Sequence, residues 1–111
     1  MVIKRIKGDT VDLDIQLFDI EDNEINLTGC TVFFTVKRNL QDADSKALIS
    51  KDITSFTSPT TGDVAITLTA TDVDYVGEFF YDIKIKYTNG KIQSVLTDKF
   101  ILAPHTTIRT S

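Results

Sequence analysis

The sequence predicts an all-β fold, a sandwich of two packed sheets with about seven strands. Side chains that branch at Cβ are abundant, since the 111 residues include 16 Thr, 13 Ile and 8 Val against 5 Ala and 3 Glu. Such side chains favour extended backbone over helix. Short apolar stretches alternate with turn residues, and no amphipathic helical pattern interrupts them. With 41% hydrophobic residues, a single domain of this length buries its own core without disulfides.

Strict alternation of apolar and polar residues predicts three strands. It occurs in residues 11–18, 31–37 and 64–69. Because successive side chains of a strand point to opposite faces, each segment buries one face and exposes the other. The inward-facing residues are expected to be Val11, Leu13, Ile15, Leu17, Val32, Phe34, Val36, Val64, Ile66 and Leu68.

A long hairpin is predicted near the C-terminus, where Asn89-Gly90 separates two alternating segments, residues 78–87 and 91–102. Asn-Gly between such segments is the strongest local signal for a tight turn. With this dipeptide at the turn centre, the expected facing pairs are Tyr87–Ile92, Lys86–Gln93, Ile83–Leu96, Asp82–Thr97, Tyr81–Asp98, Phe80–Lys99 and Phe79–Phe100. Tyr81 and Asp98 are interpreted as a polar rim of the core.

The remaining segments complete the predicted sandwich. Residues 2–7 are a candidate edge strand, and residues 47–57 contain a further strand. About seven short strands spaced by turns predict an immunoglobulin-like antiparallel β-sandwich over residues 1–102. Residues 39–46 are expected to form a polar loop, and residues 103–111 to leave the last strand as a polar tail.

Charge and residue content argue against several classes of function. The net charge of −4 and the pI near 4.8 have the wrong sign for broad contact with phosphates, so we expect no nucleic-acid partner. No apolar stretch approaches the length of about 18 residues that a membrane span needs, so we expect no membrane contact. The first residues lack the apolar run of a secretory signal, which predicts a soluble, unprocessed chain.

No catalytic, cofactor-binding or metal site is predicted. Residues 19–30 are acidic but lack the glycine and the final glutamate of an EF-hand calcium loop. His105, the single histidine, falls in the predicted tail, where no group orients it as a base. Cys30 fits a small buried thiol better than a reactive nucleophile. No Gly-rich phosphate loop or GxSxG turn occurs, so we expect neither enzymatic activity nor a cofactor.

Four apolar side chains are predicted to lie on sheet surface opposite the core and to form a candidate protein interface. They are Phe33, Phe80, Val95 and Ile101. Contiguous apolar surface of this kind marks contact with a partner. Two alternatives to an interface stay open: the loop at residues 39–46 covers this face, or a bulge near Thr97 switches the alternation.

The charges are segregated near the N-terminus. Lys4, Arg5 and Lys7 are followed by a window from Asp9 to Glu24 with seven acids and no base. Such blocks fix the register between subunits in some assemblies. Alternatively, the basic strand neutralises its own neighbour within one chain.

Several turn and strand elements, read in order, form a recognisable pattern. They are Gly8-Asp9-Thr10, INLTGCTVFFTVKR at residues 25–38, GDVAITLT at residues 62–69, GEFFYDI at residues 77–83 and Lys99-Phe100-Ile101. In this pattern the chain resembles the N-terminal domain family of phage baseplate upper proteins, found in tails and prophages of bacteria with Gram-positive envelopes. The resemblance spans nearly the whole chain.

The resemblance implies a non-enzymatic, immunoglobulin-like structural module that docks onto other phage tail or baseplate proteins during virion assembly or host attachment. Its location would be the virion, after synthesis in the host bacterial cytoplasm. Because virion parts assemble with rotational symmetry, a homo-oligomer is expected. The alternative is a bacterial cell-surface module that binds a glycan or a cell-wall component.

Overall fold

A computed structural model describes residues 2–39 and 41–104. The predicted tail from residue 105 onward, including His105, lies outside the described residues. One-turn 3₁₀ helices occur at Asp44–Lys46 and Pro59–Thr61. The seven strands are β1 (Ile3–Ile6), β2 (Val11–Gln16), β3 (Thr31–Lys37), β4 (Ile49–Ile53), β5 (Asp63–Leu68), β6 (Gly77–Lys86) and β7 (Ile92–Ala103).

The strands form two packed sheets, which confirms the predicted all-β sandwich. The large sheet has the order β1-β7-β6-β3-β4, and the small sheet contains only β2 and β5. Strand pairs are antiparallel except β1 and β7, which run parallel. The sequence did not predict this parallel pair. It arises because residues 7–10 carry the chain from β1 across to the small sheet, so β1 and β2 form no hairpin.

The core lies between the two sheets and is apolar. All ten residues predicted to face inward from the three alternating segments are at most 5% exposed, so that prediction is confirmed. Three rings fill the centre: the centroid of Phe34 lies 5.8 Å from that of Tyr81 and 6.3 Å from that of Phe100. Burial of these rings adds to the hydrophobic stabilisation of the core.

The register of β6 and β7 confirms the predicted hairpin over the half distant from the turn. The observed pairs there are Phe79–Phe100, Phe80–Lys99, Tyr81–Asp98, Asp82–Thr97 and Ile83–Leu96. Near the turn the prediction is wrong, because Lys86 faces Ile92 and the N–H of Tyr87 donates to the carbonyl of Lys91 at 2.8 Å. The turn has three residues instead of two, and Gly90 ends it at φ 86°.

Tyr81 lies in the core rather than at its rim, since its side chain is 0% exposed. Burial, together with the negative charge of Asp98, raises the pKa of Tyr81 to about 12. The unfolded chain ionises this phenol near its ordinary pKa of 10.0, whereas the folded chain keeps it protonated. Folding therefore favours the protonated phenol, and the corresponding stability is present at neutral pH.

This shift predicts a pH dependence of stability. Between pH 10 and about 12 the unfolded state loses the Tyr81 proton first, so the free energy of unfolding of the wild type falls as pH rises. In Tyr81→Phe this contribution is absent, and the fall over the same window is expected to be shallower. Urea unfolding followed by circular dichroism at several pH values measures the difference. If the free energy of unfolding fell with the same slope in both proteins, Tyr81 would not be the group that causes the pH dependence.

Candidate docking surface

The outer face of the large sheet carries three of the four side chains predicted as an interface. Phe33 on β3, Phe80 on β6 and Ile101 on β7 alternate with core residues, point away from the core and are half-buried. Because these three strands are neighbours or next neighbours in the sheet, the fold brings the side chains onto one surface. We call this surface the outer face.

Each of the three apolar side chains lies between two charged residues of adjacent strands. The rows across the sheet are Asp52–Phe33–Lys84, Lys37–Phe80–Lys99 and Lys4–Ile101–Glu78. The long stems of lysine cover part of the neighbouring apolar surface while their ammonium groups stay in water. The outer face therefore combines half-buried apolar side chains with charged groups of both signs.

The loop after β3 partly covers one end of the outer face. This agrees in part with the first alternative to an interface, in which the loop at residues 39–46 covers the face. Asn39, Gln41 and Asp42 line a shallow cavity of about 370 Å³ together with Phe80. The loop is held there because the ammonium of Lys37 donates to the carbonyl of Asp42 at 2.9 Å. This cavity does not involve Phe33 or Ile101, so the loop explains the partial burial of one side chain alone.

A second shallow cavity of about 250 Å³ surrounds Phe33. Thr35, Asp82, Lys84 and Ile92 are its other lining residues. Asp82 accepts a hydrogen bond from Thr97 Oγ1 at 3.4 Å and pairs with Lys84 Nζ at 3.8 Å. Sequence reasoning missed Ile92, which is 60% exposed, because it placed this residue on the core side of the hairpin.

Val95 does not join the other three side chains, which corrects its predicted place on the outer face. The register shifts between Ile83 and Lys84: Ile83 faces Leu96 and Lys84 faces Ser94, so Val95 has no facing residue on β6. At this β-bulge Val95 and Leu96 both pack against the core. The bulge also reverses the alternation toward the turn, and this reversal puts Ile92 on the outer face.

The surroundings of Cys30 and of the acidic residues were compared with the predictions made for them. Cys30 is buried, as expected, and its Sγ lies 3.8 Å from the carbonyl oxygen of Asn26. Within residues 2–39 and 41–104, no three His, Cys, Asp or Glu residues come close enough together to hold a metal ion. In the same part of the chain, no helix has the length and apolar character needed to cross a membrane.

Comparison with family models matches residues 3–103 to the BppU N-terminal domain, the N-terminal domain of baseplate upper proteins. The chain belongs to this family. The match runs from the first residue of β1 to the last residue of β7, so it covers every strand of this BppU N-terminal domain. The family resemblance inferred from the turn and strand elements is confirmed.

A solved structure supports the same fold for the BppU N-terminal domain described above. The "N-terminal domain of phage TP901-1 ORF48" superimposes with a TM-score of 0.64 and 16% sequence identity, over 93% of this chain and 85% of that chain. At this identity the likeness shows a shared fold. No curated protein matches the sequence. Membership of the BppU N-terminal domain family gives the protein a structural role in a phage tail or baseplate.

Proposed function

We propose that this BppU N-terminal domain is a non-enzymatic docking module that binds other tail or baseplate proteins through its outer face during virion assembly or host attachment. The observation that carries the proposal is the surface pattern of Phe33, Phe80 and Ile101, each set between charged residues of neighbouring strands. Half-buried apolar side chains ringed by charges are typical of protein interfaces.

The proposal also covers location, oligomeric state, cofactors and other ligands. The protein acts in the virion, after synthesis in the host cytoplasm, and forms a homo-oligomer there, since virion parts assemble with rotational symmetry. It uses no cofactor. It binds neither nucleic acid nor membrane, which is in keeping with a net charge of −4.

Charge introduced on the outer face is expected to weaken docking more than folding. In Phe80→Asp and Ile101→Asp a carboxylate replaces a half-buried apolar group at the interface, which should reduce affinity about tenfold or more. Binding is measured by titrating the purified variant with the purified tail proteins encoded by the same phage, and melting temperature is measured alongside.

Ala65→Asp is the matched control, because Ala65 is exposed on β5 of the small sheet, on the opposite side of the sandwich. This variant should bind as the wild type does. Equal losses of affinity and melting temperature in Phe80→Asp and Ile101→Asp would contradict the assignment of the faces. Tight binding of a monomer to a cell-wall polysaccharide, with none to tail proteins, would replace the docking function with glycan recognition.

A further inference from the structure

Lysines outnumber acids on the outer face. At the positions of the large sheet that alternate with core residues, five side chains are basic and three are acidic. The basic ones are Lys4, Lys37, Lys84, Lys86 and Lys99, and the acidic ones are Asp52, Glu78 and Asp82. The chain as a whole has a net charge of −4. The outer face is therefore a basic surface on an acidic protein.

Part of this positive charge is not neutralised within the chain. Lys84 pairs with Asp82 at 3.8 Å. In residues 2–39 and 41–104, no acid forms an ion pair with Lys4 or Lys86, and both side chains are exposed. Glu78, the acid in the same row as Lys4, is two strands away, a separation of about 10 Å. The ammonium groups of Lys4 and Lys86 are therefore available to acids of a partner.

The apolar groups of the outer face lie among these lysines. Phe80 has Lys37 on one side and Lys99 on the other, in the two adjacent strands. Ile92, which is 60% exposed, faces Lys86. A partner that covers the apolar groups is thereby brought close to several ammonium groups. Like charges placed across an interface oppose association, so a basic partner is disfavoured at this surface.

The small sheet has the reverse composition on its solvent side. The positions that alternate with core residues on β2 and β5 are Asp12, Asp14, Gln16, Asp63, Ala65 and Thr67. They include three acids but no base and no large apolar side chain. An acidic surface that approaches the protein is repelled from this side and attracted to the outer face. The charge distribution therefore selects the orientation of an acidic partner as well as its contact surface.

We propose that the partner at the outer face is a tail or baseplate protein that presents apolar side chains surrounded by acidic ones. Its apolar groups pack on Phe80, Ile92 and Ile101, and its carboxylates meet the lysines beside them. This inference rests on the proposed docking function and adds the chemistry of the partner. The contact is governed by association rate and salt, because the charges lie at the rim of the apolar groups and stay close to water.

Two adjacent residues of β1 allow a matched test of the partner's charge. Ile3 is buried on the core side of the strand, so Arg5 points to that side and Lys4 to the outer face. Both side chains are exposed, and we expect Lys4→Glu and Arg5→Glu to fold as the wild type does. The two variants have the same net charge. They differ only in the side of the strand that carries the change.

Binding is measured by surface plasmon resonance with the purified tail proteins encoded by the same phage, at low and at high salt. At low salt Lys4→Glu should lower the affinity about fivefold or more, mainly through slower association, and Arg5→Glu should lower it clearly less. Added salt should weaken binding of the wild type and reduce the difference between the two variants. Equal effects of the two variants, or tighter binding of Lys4→Glu, would overturn the proposal.

Glu78→Lys is the reciprocal variant. Glu78 is exposed and lies beside Ile101, on the side opposite to Lys4. The substitution gives Ile101 a lysine on both sides, the arrangement that Phe80 already has. An acidic partner should then bind about threefold more tightly, with faster association. Weaker binding of this variant, with an unchanged melting temperature, would show that the partner is basic.

The outcomes for the partner's charge and for docking itself are separable. If Phe80→Asp abolished binding while Lys4→Glu and Glu78→Lys left it unchanged, the inference would fail and the docking function would stand. If no tail protein bound the wild type, both would fail. Sedimentation equilibrium covers the remaining occupant, a second copy of the chain. Self-association that Lys4→Glu abolishes would assign the outer face to the acidic small sheet of another copy and overturn the inference.

Discussion

Phe79→Ala is expected to lower the free energy of unfolding by about 3–5 kcal/mol, one of the two largest effects of a single substitution in this protein. The Phe79 side chain is 2% exposed on the core side of β6. Its ring centroid lies 6.3 Å from that of Tyr75, edge to face, and the guanidinium of Arg38 lies 5.6 Å above it. Truncation removes these contacts and leaves a cavity that rigid strands cannot close. Urea unfolding followed by circular dichroism measures the loss.

Phe80→Ala is the matched comparison, since it removes the same ring one residue further along the same strand. Phe80 points to the outer face and is half-buried between Lys37 and Lys99. Its loss should cost about 1 kcal/mol or less, because truncating a half-buried side chain at the sheet surface leaves no enclosed cavity. Similar losses in the two variants would mean that the faces of β6 are not separated as the structure has them.

The contrast between Phe79 and Phe80 was predictable because strand periodicity has a simple physical origin. Side chains alternate across a strand, so apolar residues at every second position assign the faces once the backbone is extended. Val32, Phe34 and Val36 illustrate this, since all three are at most 1% exposed. The sheet class, the inward-facing residues of the three alternating strands and the register of the hairpin half distant from the turn could therefore be derived from residue order alone.

A bulge near Thr97 was one of the two alternatives to an interface, and the structure confirms a bulge two residues away, at Val95. Its exact position was not predictable from the alternation. The surrounding residues Ser94, Val95, Leu96 and Thr97 include no glycine or proline, so nothing local marks an extra residue. Packing decides it instead, because Val95 and Leu96 both contact the core. One inserted residue reverses the alternation beyond it. For this reason the candidate interface lost Val95 and gained Ile92.

The parallel position of β1 was also beyond local reasoning. Only Ile3 is buried in this strand, so the alternation of residues 3–6 is too weak to specify a partner. The partner is set by contacts distant in sequence, such as the bond from the N–H of Lys7 to the carbonyl of Ala103 at 2.8 Å. The order of the strands in the large sheet therefore could not be inferred from sequence.

Gly62→Ala should destabilise the protein by about 2–5 kcal/mol, the sum of left-handed backbone strain and a steric clash. Gly62 has φ 78°, a conformation that L side chains rarely adopt. A Cβ at this position would lie 2.5 Å from the carbonyl oxygen of Leu17 and 3.2 Å from that of Ile25. The N–H of Leu17 donates to the carbonyl of Gly62 at 2.9 Å, so the backbone cannot separate without losing this bond. Urea unfolding followed by circular dichroism measures the loss in the free energy of unfolding.

Gly90→Ala separates the two contributions. Gly90 has φ 86°, close to that of Gly62, but a Cβ there would meet nothing within 4 Å. This variant should lose only the cost of the backbone conformation, about 1–2 kcal/mol. The difference between the variants then measures the close approach of Gly62 to Leu17 and Ile25, which flank the loop at residues 18–24. If both variants lost the same stability, the close approach of Gly62 to Leu17 and Ile25 would add no cost beyond that of the backbone conformation.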